Sequence, residues 1–127
     1  ILTYDVDIPE EIANCKIPKI TLQPLVENAL YHGIKNKRGK GRIVVTGRRE
    51  KDKCVIRVED NGIGMTKERL NQVRGGLTTK IEDSNDFYGL YNVNERIRLK
   101  FGEEYGLSID SVLQEGTCVE VWLPWES

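Results

Sequence analysis

The 127-residue sequence predicts an α+β fold, a two-layer sandwich in which about five strands form a mixed, mostly antiparallel sheet that three helices cover on one face. Segments that alternate apolar and polar side chains, as half-buried strands do, are interspersed with segments that have the period of an α-helix. Four of the strands form two pairs joined by short turns, which favours antiparallel pairing. The helices then have to pack on the sheet to bury their apolar sides.

Each element has a local signal. The first strand alternates and stops at Pro9, Pro18 suits the first turn of a helix, Thr66 is a helix cap, and Gly102 ends the last helix. No linker or repeat divides the chain, so we expect one domain over residues 1–127. The predicted strands are 2–8, 42–50, 53–60, 105–113 and 117–123, and the predicted helices are 18–34, 66–74 and 90–101.

Composition excludes several classes of protein. Hydrophobic residues make up 39% and charged residues 31%, which argues against disorder. With a net charge of −1, the domain has no overall positive electrostatic field that would attract nucleic acid. No apolar run is long enough to span a membrane. The three cysteines are far apart, which predicts reduced packing residues in a cytosolic setting. Because the chain opens at Ile1 already in strand pattern, we interpret it as a piece of a longer protein.

The first predicted helix has an apolar core face and, opposite it, an unusual polar face. The core-face residues, which recur at helical spacing, are Leu22, Val26, Ala29, Leu30 and Gly33. Two turns present a carboxylate, an amide, a phenol, an imidazole and an amine, whereas a solvated face normally carries Glu and Lys pairs. An amide oxygen suits Mg²⁺, and a carboxylate beside it could orient or deprotonate a nucleophile. A plain exposed face is the alternative, and the lone histidine is given no chemical role. The five residues are Glu27, Asn28, Tyr31, His32 and Lys35.

The stretch "DNGIGM" follows the third strand directly. Asp60 shares the inward face of that strand by alternation, and a buried carboxylate is costly without a hydrogen-bond donor. The exocyclic amine of adenine is such a donor, whereas guanine has a carbonyl at that place. Gly62 and Gly64, which alternate with Ile63 and Met65, allow positive φ and a close approach of a flat base. We expect an adenine pocket, although such turns also occur in hairpins and calcium loops.

The stretch "YGLYNVNERI" places Gly89 and Leu90 at the start of a helix, where free amides and the dipole attract phosphate. Asn92 is expected to cap this start, and Arg96 lies one turn further on the same face. The preceding polar segment, about 75–88, is long enough to act as a mobile lid over a triphosphate. A solvated basic loop is the alternative. Cations on or near this segment are Lys67, Arg69, Arg74 and Lys80.

The segments "LQPLVENALYHGI", "DNGIGM" and "FYGLYNVNERI" occur in this order, and they resemble the N, G1 and G2 boxes of the ATP-binding domain of sensor histidine kinases. This is the Bergerat fold, which is similar to that of gyrase, heat-shock chaperone and mismatch-repair ATPases. The resemblance covers essentially the whole chain. The wording "CKIP" followed by "LQPLVENA" most resembles the membrane-bound bacterial kinases that pair with response regulators.

The resemblance implies roles for single residues. Asn28 would hold Mg²⁺, Glu27 would lie near the γ-phosphate, Asp60 would accept from the adenine amine, and Gly89 would meet the phosphates. The sequence departs from the pattern where Tyr31 replaces a phosphate-binding lysine and Tyr91 replaces a second glycine. Lys35, Arg96 or a lid cation would then substitute for the lysine.

The function implied is to position Mg-ATP for transfer of the γ-phosphate to a histidine on an upstream dimerisation domain. This piece alone would then bind ATP as a monomer without phosphorylating itself. The parent would be a homodimer anchored in the cell membrane, with this domain in the cytoplasm and a response regulator as partner. An ATP-gated conformational ATPase of the gyrase or chaperone type and a non-catalytic nucleotide sensor are the alternatives.

Overall fold

The computed structural model describes residues 2–7, 25–27, 29, 41–77 and 88–125. Within these ranges five strands form one sheet in the order β1-β2-β3-β5-β4. β1 pairs with β2 in parallel, and the other three pairings are antiparallel, as the predicted mixed sheet requires. The strands are β1 Leu2–Asp7, β2 Gly41–Glu50, β3 Lys53–Asp60, β4 Gly106–Val112 and β5 Gly116–Pro124. Helix α1 is Lys67–Gly76, helix α2 is Tyr88–Phe101, and residues 25–27 are also helical.

The hydrophobic core lies between the helices and one face of the sheet. Alternate residues of the central strands point to this face, because successive side chains of a strand lie on opposite sides. The predicted two-layer arrangement is therefore confirmed. The core side chains include Ile56 and Val58 of β3, Val119 and Val121 of β5, Leu70 and Val73 of α1, and Leu90, Val93 and Ile97 of α2.

The helical residues 25–27 correct one detail of the predicted packing. Leu25 is fully buried and Ala29 is 3% exposed, so both belong to the core. Val26, which the helical pattern assigned to the core face, is only half-buried, while Glu27 is exposed. The core face of this segment is therefore centred on Leu25, which the sequence pattern did not include. The rest of the predicted helix lies outside the described residues.

Helix α1 begins at its predicted cap and ends later than predicted. The Oγ1 atom of Thr66 accepts a hydrogen bond from the Arg69 amide at 3.1 Å. The helix continues to Gly76, and Leu77 after it is buried at 6% exposure. Gly75 and Gly76 belong to α1 and Tyr88 belongs to α2, although the sequence predicted all three to be part of the loop at about 75–88. Residues 78–87 lie outside the described part of the chain. No described helix is long and apolar enough to cross a membrane.

Arg74 stabilises the packing of α1 on the sheet. Its Nε atom donates to the carbonyl oxygen of Ile109 at 3.0 Å, and its Nη2 atom lies 3.4 Å from Oδ1 of Asp110. Ile109 is in β4, which is the last strand of the sheet, so the guanidinium covers a carbonyl at an open edge. In this structure Arg74, one of the cations predicted on or near the lid segment, therefore contacts β4.

The face of the sheet away from the helices is lined by paired charges. Arg48 donates from Nη1 to Oε2 of Glu120 at 2.7 Å, and its guanidinium lies 5.6 Å from the ring centroid of Trp122. These side chains flank the fully buried Val55, whose partners in the register are Arg48 and Trp122. The paired charged side chains cover the apolar Val55, so this face of the sheet exposes polar groups to solvent.

Cys118 lies half-buried on this open face, and Cys54 is buried in the core; both are free thiols. Burial raises the pKa of the Cys118 thiol to about 11. Arg57 opposes this rise, and the carboxylates of Glu120, Glu59 and Asp110 add to it. The thiol therefore stays protonated at neutral pH.

The raised pKa predicts how Cys118 reacts with alkylating agents, because the thiolate is the reactive form. Between pH 8 and 10 its rate with iodoacetamide should rise about tenfold per pH unit, whereas a free thiol of pKa about 8.5 levels off near pH 9. Peptide mass spectrometry after timed labelling measures the rate at this residue, with glutathione as the free-thiol control. A plateau at Cys118 below pH 9 would contradict the prediction.

Candidate functional site

Asp60 is the last residue of β3, and its side chain lies on the face of the sheet that the helices cover. Asp60 is only 5% exposed, and its neighbours on the same side of β3, Ile56 and Val58, are apolar. Its Oδ1 atom accepts a hydrogen bond from the Gly62 amide at 2.8 Å. This bond fixes the carboxylate at the end of the strand and partly offsets the cost of its burial. The inward orientation predicted for Asp60 is observed.

Asp60 belongs to a polar row that crosses the end of the sheet. In the strand register Asp60 is opposite Thr117 of β5, and Thr117 is opposite Ser111 of β4. Thr117 is 6% exposed, and its hydroxyl lies 2.8 Å from the hydroxyl of Ser111. On the other side, Asp60 is opposite the fully buried, apolar Ile43 of β2, where the polar row ends. Carboxylate and hydroxyl groups therefore lie side by side at one end of an otherwise apolar face.

Thr117 and Ser111 are absent from the residues predicted for the site. A signal for Thr117 exists in the sequence, because it precedes Val119, Val121 and Leu123 at alternating positions and so shares their apolar face. Its proximity to Asp60 has no local signal, because β3 and β5 are far apart in the chain.

The turn after β3 is held from the β2 side by two hydrogen bonds. The Asn61 amide donates to the Arg42 carbonyl at 3.2 Å, and the Arg42 amide donates to Oδ1 of Asn61 at 2.7 Å. Gly64 has φ of +67°, in the left-handed region predicted for it. Gly62 is buried, Ile63 is half-buried, and Met65 belongs to the core at 9% exposure. The turn therefore offers mainly backbone to a ligand.

The amino-terminal turn of α2 contains the residues predicted to meet phosphate. Gly89 lies in this turn, while the Leu90 side chain is 1% exposed and packs in the core, so only its backbone is available for binding. Asn92 does not cap the helix, because α2 begins at Tyr88 and Asn92 is one turn inside it. It is half-buried, and Arg96, one turn further, is exposed.

The carboxyl-terminal end of α2 packs at the end of the sheet that is farther from Asp60. Phe101 makes an edge-to-face contact with Tyr105 at a centroid distance of 6.3 Å, next to the start of β4. The 14 residues of α2 span about 20 Å, which is close to the length of β4. The amino-terminal turn is therefore directed away from the Tyr105 end of the sheet.

The remaining predicted residues belong to the first helix. Glu27 lies on a helical segment and is exposed, on the side away from the buried Leu25 and Ala29. The described residues contain no group of three or more His, Cys, Asp or Glu side chains that could hold a metal ion. The other residues of the predicted polar face, Asn28, Tyr31, His32 and Lys35, lie outside the described residues.

Comparison with known proteins identifies the family. The model of the "histidine kinase-, DNA gyrase B-, and HSP90-like ATPase" family matches residues 18–127. The chain belongs to this family of ATPases. The resemblance to the ATP-binding domain of sensor histidine kinases is confirmed, and the buried Asp60 and the glycine turn lie within the matched region.

Similar proteins include several sensor kinases. The chain is 38% identical to sensor histidine kinase YesM of Bacillus subtilis, and the match covers 97% of this chain and 20% of the relative. It is 31% identical to sensor histidine kinase BtsS of Escherichia coli, covering 98% of this chain and 20% of the relative. It is 34% identical to sensor protein LytS of Staphylococcus saprophyticus, covering 95% and 20%. The chain thus spans about a fifth of these relatives.

Solved structures support the fold of this ATPase family member. The catalytic domain of histidine kinase ThkA superposes with a TM-score of 0.69 at 12% identity, covering 98% of this chain and 80% of that chain. The histidine kinase domain of a blue-light activated kinase from Erythrobacter litoralis gives 0.63 at 17% identity, covering 98% and 55%. The predicted Bergerat fold is therefore confirmed.

Proposed function

We propose that this domain binds Mg-ATP and positions the γ-phosphate for transfer to a histidine on an upstream dimerisation domain of its parent protein. The observation that carries the proposal is the buried carboxylate of Asp60, which the Gly62 amide orients at the end of β3. Membership of the ATPase family and the similarity to sensor kinases support the same nucleotide and the same reaction.

Adenine is selected by the pattern of donors and acceptors that it presents. The Asp60 carboxylate is an acceptor, and it pairs with the exocyclic amine of adenine. Guanine would place a carbonyl oxygen against the same carboxylate, which leaves two acceptors facing each other in a buried setting. The Ser111 hydroxyl donates its proton to the Gly116 carbonyl, so the Thr117 hydroxyl next to Asp60 donates to the Ser111 oxygen. Thr117 therefore offers an acceptor, which suits a bridging water between the protein and the base.

The N box, which contains Asn28, and the G2 box, which contains Gly89, hold the metal and the phosphates. Gly89 and the amides around it meet the phosphates at the start of α2, with Arg96 and Lys35 as cations in place of a lysine at Tyr31. Asn28 supplies an oxygen to Mg²⁺, whose charge neutralises the phosphates when it is bound. Glu27, which is exposed on the first helix, would polarise the attacking group at the γ-phosphate. The lid proposed from the sequence lies at about 75–88, of which residues 78–87 are outside the described part of the chain.

The chain spans about a fifth of its sensor-kinase relatives, so the proposal extends to a longer parent protein. We propose a homodimeric sensor kinase anchored in the cell membrane, with this domain in the cytoplasm and a response regulator as its phosphate acceptor. The isolated domain is then a monomer that binds ATP without phosphorylating itself. The named sensor kinases among its relatives support this assignment over a conformational ATPase.

The reaction is tested by mixing the domain, γ-labelled ATP and the histidine-bearing dimerisation fragment of the parent. Label on histidine is the result expected for the kinase. Free phosphate without labelled protein would indicate a conformational ATPase instead, and binding without either product would indicate a nucleotide sensor.

Nucleotide binding itself predicts a selective thermal shift. A ligand that binds only the native state at 100 times its Kd adds about 2.7 kcal/mol to the free energy of unfolding, which corresponds to a rise of about 10 °C in Tm for a domain of this size. ATP with magnesium should produce this rise, and GTP at the same concentration should not. Omitting magnesium should reduce the ATP effect. Equal shifts with ATP and GTP would contradict the adenine pocket.

A further inference from the structure

The hairpin turn between β4 and β5, residues 112–116, packs against the adenine turn, residues 60–64. Gly116 has φ of +132° and faces the backbone of Asp60. A Cβ atom at Gly116 would lie 2.9 Å from the Asp60 carbonyl carbon and 3.0 Å from the Asn61 Cα atom, and still closer to the Asp60 carbonyl oxygen. No side chain fits between the two turns at this point.

A second contact lies at the far end of the adenine turn. A Cβ atom at Gly64 would lie 2.7 Å from the carbonyl carbon of Val112 and 3.1 Å from the Cα atom of Leu113, and closer still to the Val112 oxygen. Between the two glycines the Gln114 amide donates to the Ile63 carbonyl at 2.6 Å. A side chain at Gly64 would therefore collide with the backbone of the hairpin turn.

The hairpin turn has bonds of its own that fix its shape. The Glu115 amide donates to the Val112 carbonyl at 3.0 Å, and the Ser111 hydroxyl donates to the Gly116 carbonyl at 2.9 Å. Gln114 at its tip has φ of +69°. A turn closed in this way presents a defined surface to the adenine turn.

We propose that the hairpin turn sets the position of the Asp60 carboxylate, and that Gly116 is a positioning residue for adenine recognition. The inference rests on the proposed function. A methyl group at Gly116 would force the Asp60–Asn61 peptide away from β5. Because the carboxylate follows its own backbone, it would leave the place where it meets the adenine amine, and hydrogen bonds weaken steeply with distance and angle.

The test compares two glycine variants. Gly116→Ala and Gly102→Ala both place alanine at a positive φ, +132° and +117°, so both lower Tm through backbone strain. Gly102 follows α2, and a Cβ atom there would meet nothing within 4 Å. Calorimetry is done at a temperature at which circular dichroism shows both variants folded. We expect Gly116→Ala to weaken ATP binding about tenfold or more and Gly102→Ala to leave it within about twofold.

A second measurement needs no variant. Coupling between two sites is reciprocal, so bound ATP should stabilise the hairpin turn if that turn positions the ATP site. Hydrogen exchange of the Gln114 amide should slow severalfold when ATP saturates the wild-type domain, together with exchange of the Gly62 amide. The Arg98–Gly102 hydrogen bond at the end of α2 provides a control amide, that of Gly102, which should not change.

The outcomes separate the two proposals. If the wild-type domain does not bind ATP, the proposed function is wrong. If it binds ATP but folded Gly116→Ala binds equally well, the positioning role of Gly116 is overturned while the proposed function stands. Should Gly116→Ala fail to fold, hydrogen exchange decides: protection of Gly62 without protection of Gln114 would overturn the proposal.

Discussion

Replacement of Asp60 by asparagine should weaken ATP binding about a hundredfold or more and leave the fold intact. One carboxylate oxygen already accepts the Gly62 amide at 2.8 Å, and in the proposed site the other accepts the adenine amine. Asparagine has one acceptor oxygen, so one of the two donors would face an NH₂ group. Hydrogen bonds to charged groups contribute about 1.5–3 kcal/mol, and the opposed donors add to the loss. Isothermal calorimetry of Asp60→Asn measures the effect.

The matched control is Glu59→Gln. Glu59 is the preceding residue of the same strand, it points to the opposite face, and its carboxylate forms an exposed ion pair with Arg57 at 3.4 Å. Removing its charge should leave the Kd for ATP unchanged, because the side chain is on the wrong side of the sheet. Wild-type affinity in a folded Asp60→Asn domain would rule out this carboxylate as the adenine partner and, with it, the proposed orientation of the nucleotide.

Asn94→Ala should be among the most destabilising single substitutions in this domain. Asn94 is 4% exposed; its Nδ2 atom donates to the Leu77 carbonyl at 2.8 Å, and its Oδ1 atom accepts from the Leu107 amide at 2.9 Å. It thereby joins the end of α1, the middle of α2 and the start of β4. Each buried backbone group left without a partner costs about 1–3 kcal/mol, so we expect a loss of about 2–4 kcal/mol in the free energy of unfolding.

Urea unfolding followed by circular dichroism measures this loss, with Asn71→Ala as the control. Asn71 is an exposed residue of α1, where alanine has the higher helix propensity, so its replacement should change stability by about 0.5 kcal/mol or less. Similar small effects of both substitutions would show that the Asn94 amide does not bridge the three elements in solution.

Local patterns were sufficient for much of the fold. Alternation defined β3 as Lys53–Asp60, the range observed, and placed Asp60 on the buried face together with the apolar residues before it. The Thr66 cap and the two hairpins were also predicted correctly. These features depend on residues a few positions apart, and side-chain periodicity and turn chemistry act over that range.

The residues that lie next to Asp60 in space could not be predicted from local sequence patterns. Thr117 and Ser111 come to lie beside Asp60 because β5 is inserted between β3 and β4, an order to which no local pattern corresponds. Arg74 suited a phosphate site by charge, yet the packing of α1 assigns it to the edge of β4.

The sequence by itself determined which face of β3 is buried and which turn ends this strand. Only the tertiary structure decided what that face and that turn touch: the hydroxyls beside Asp60, and the Val112 backbone in the space left by Gly64. The physical reason is that burial follows the short-range period of each element, whereas contacts across the sheet depend on the order and register of strands that are distant in the chain.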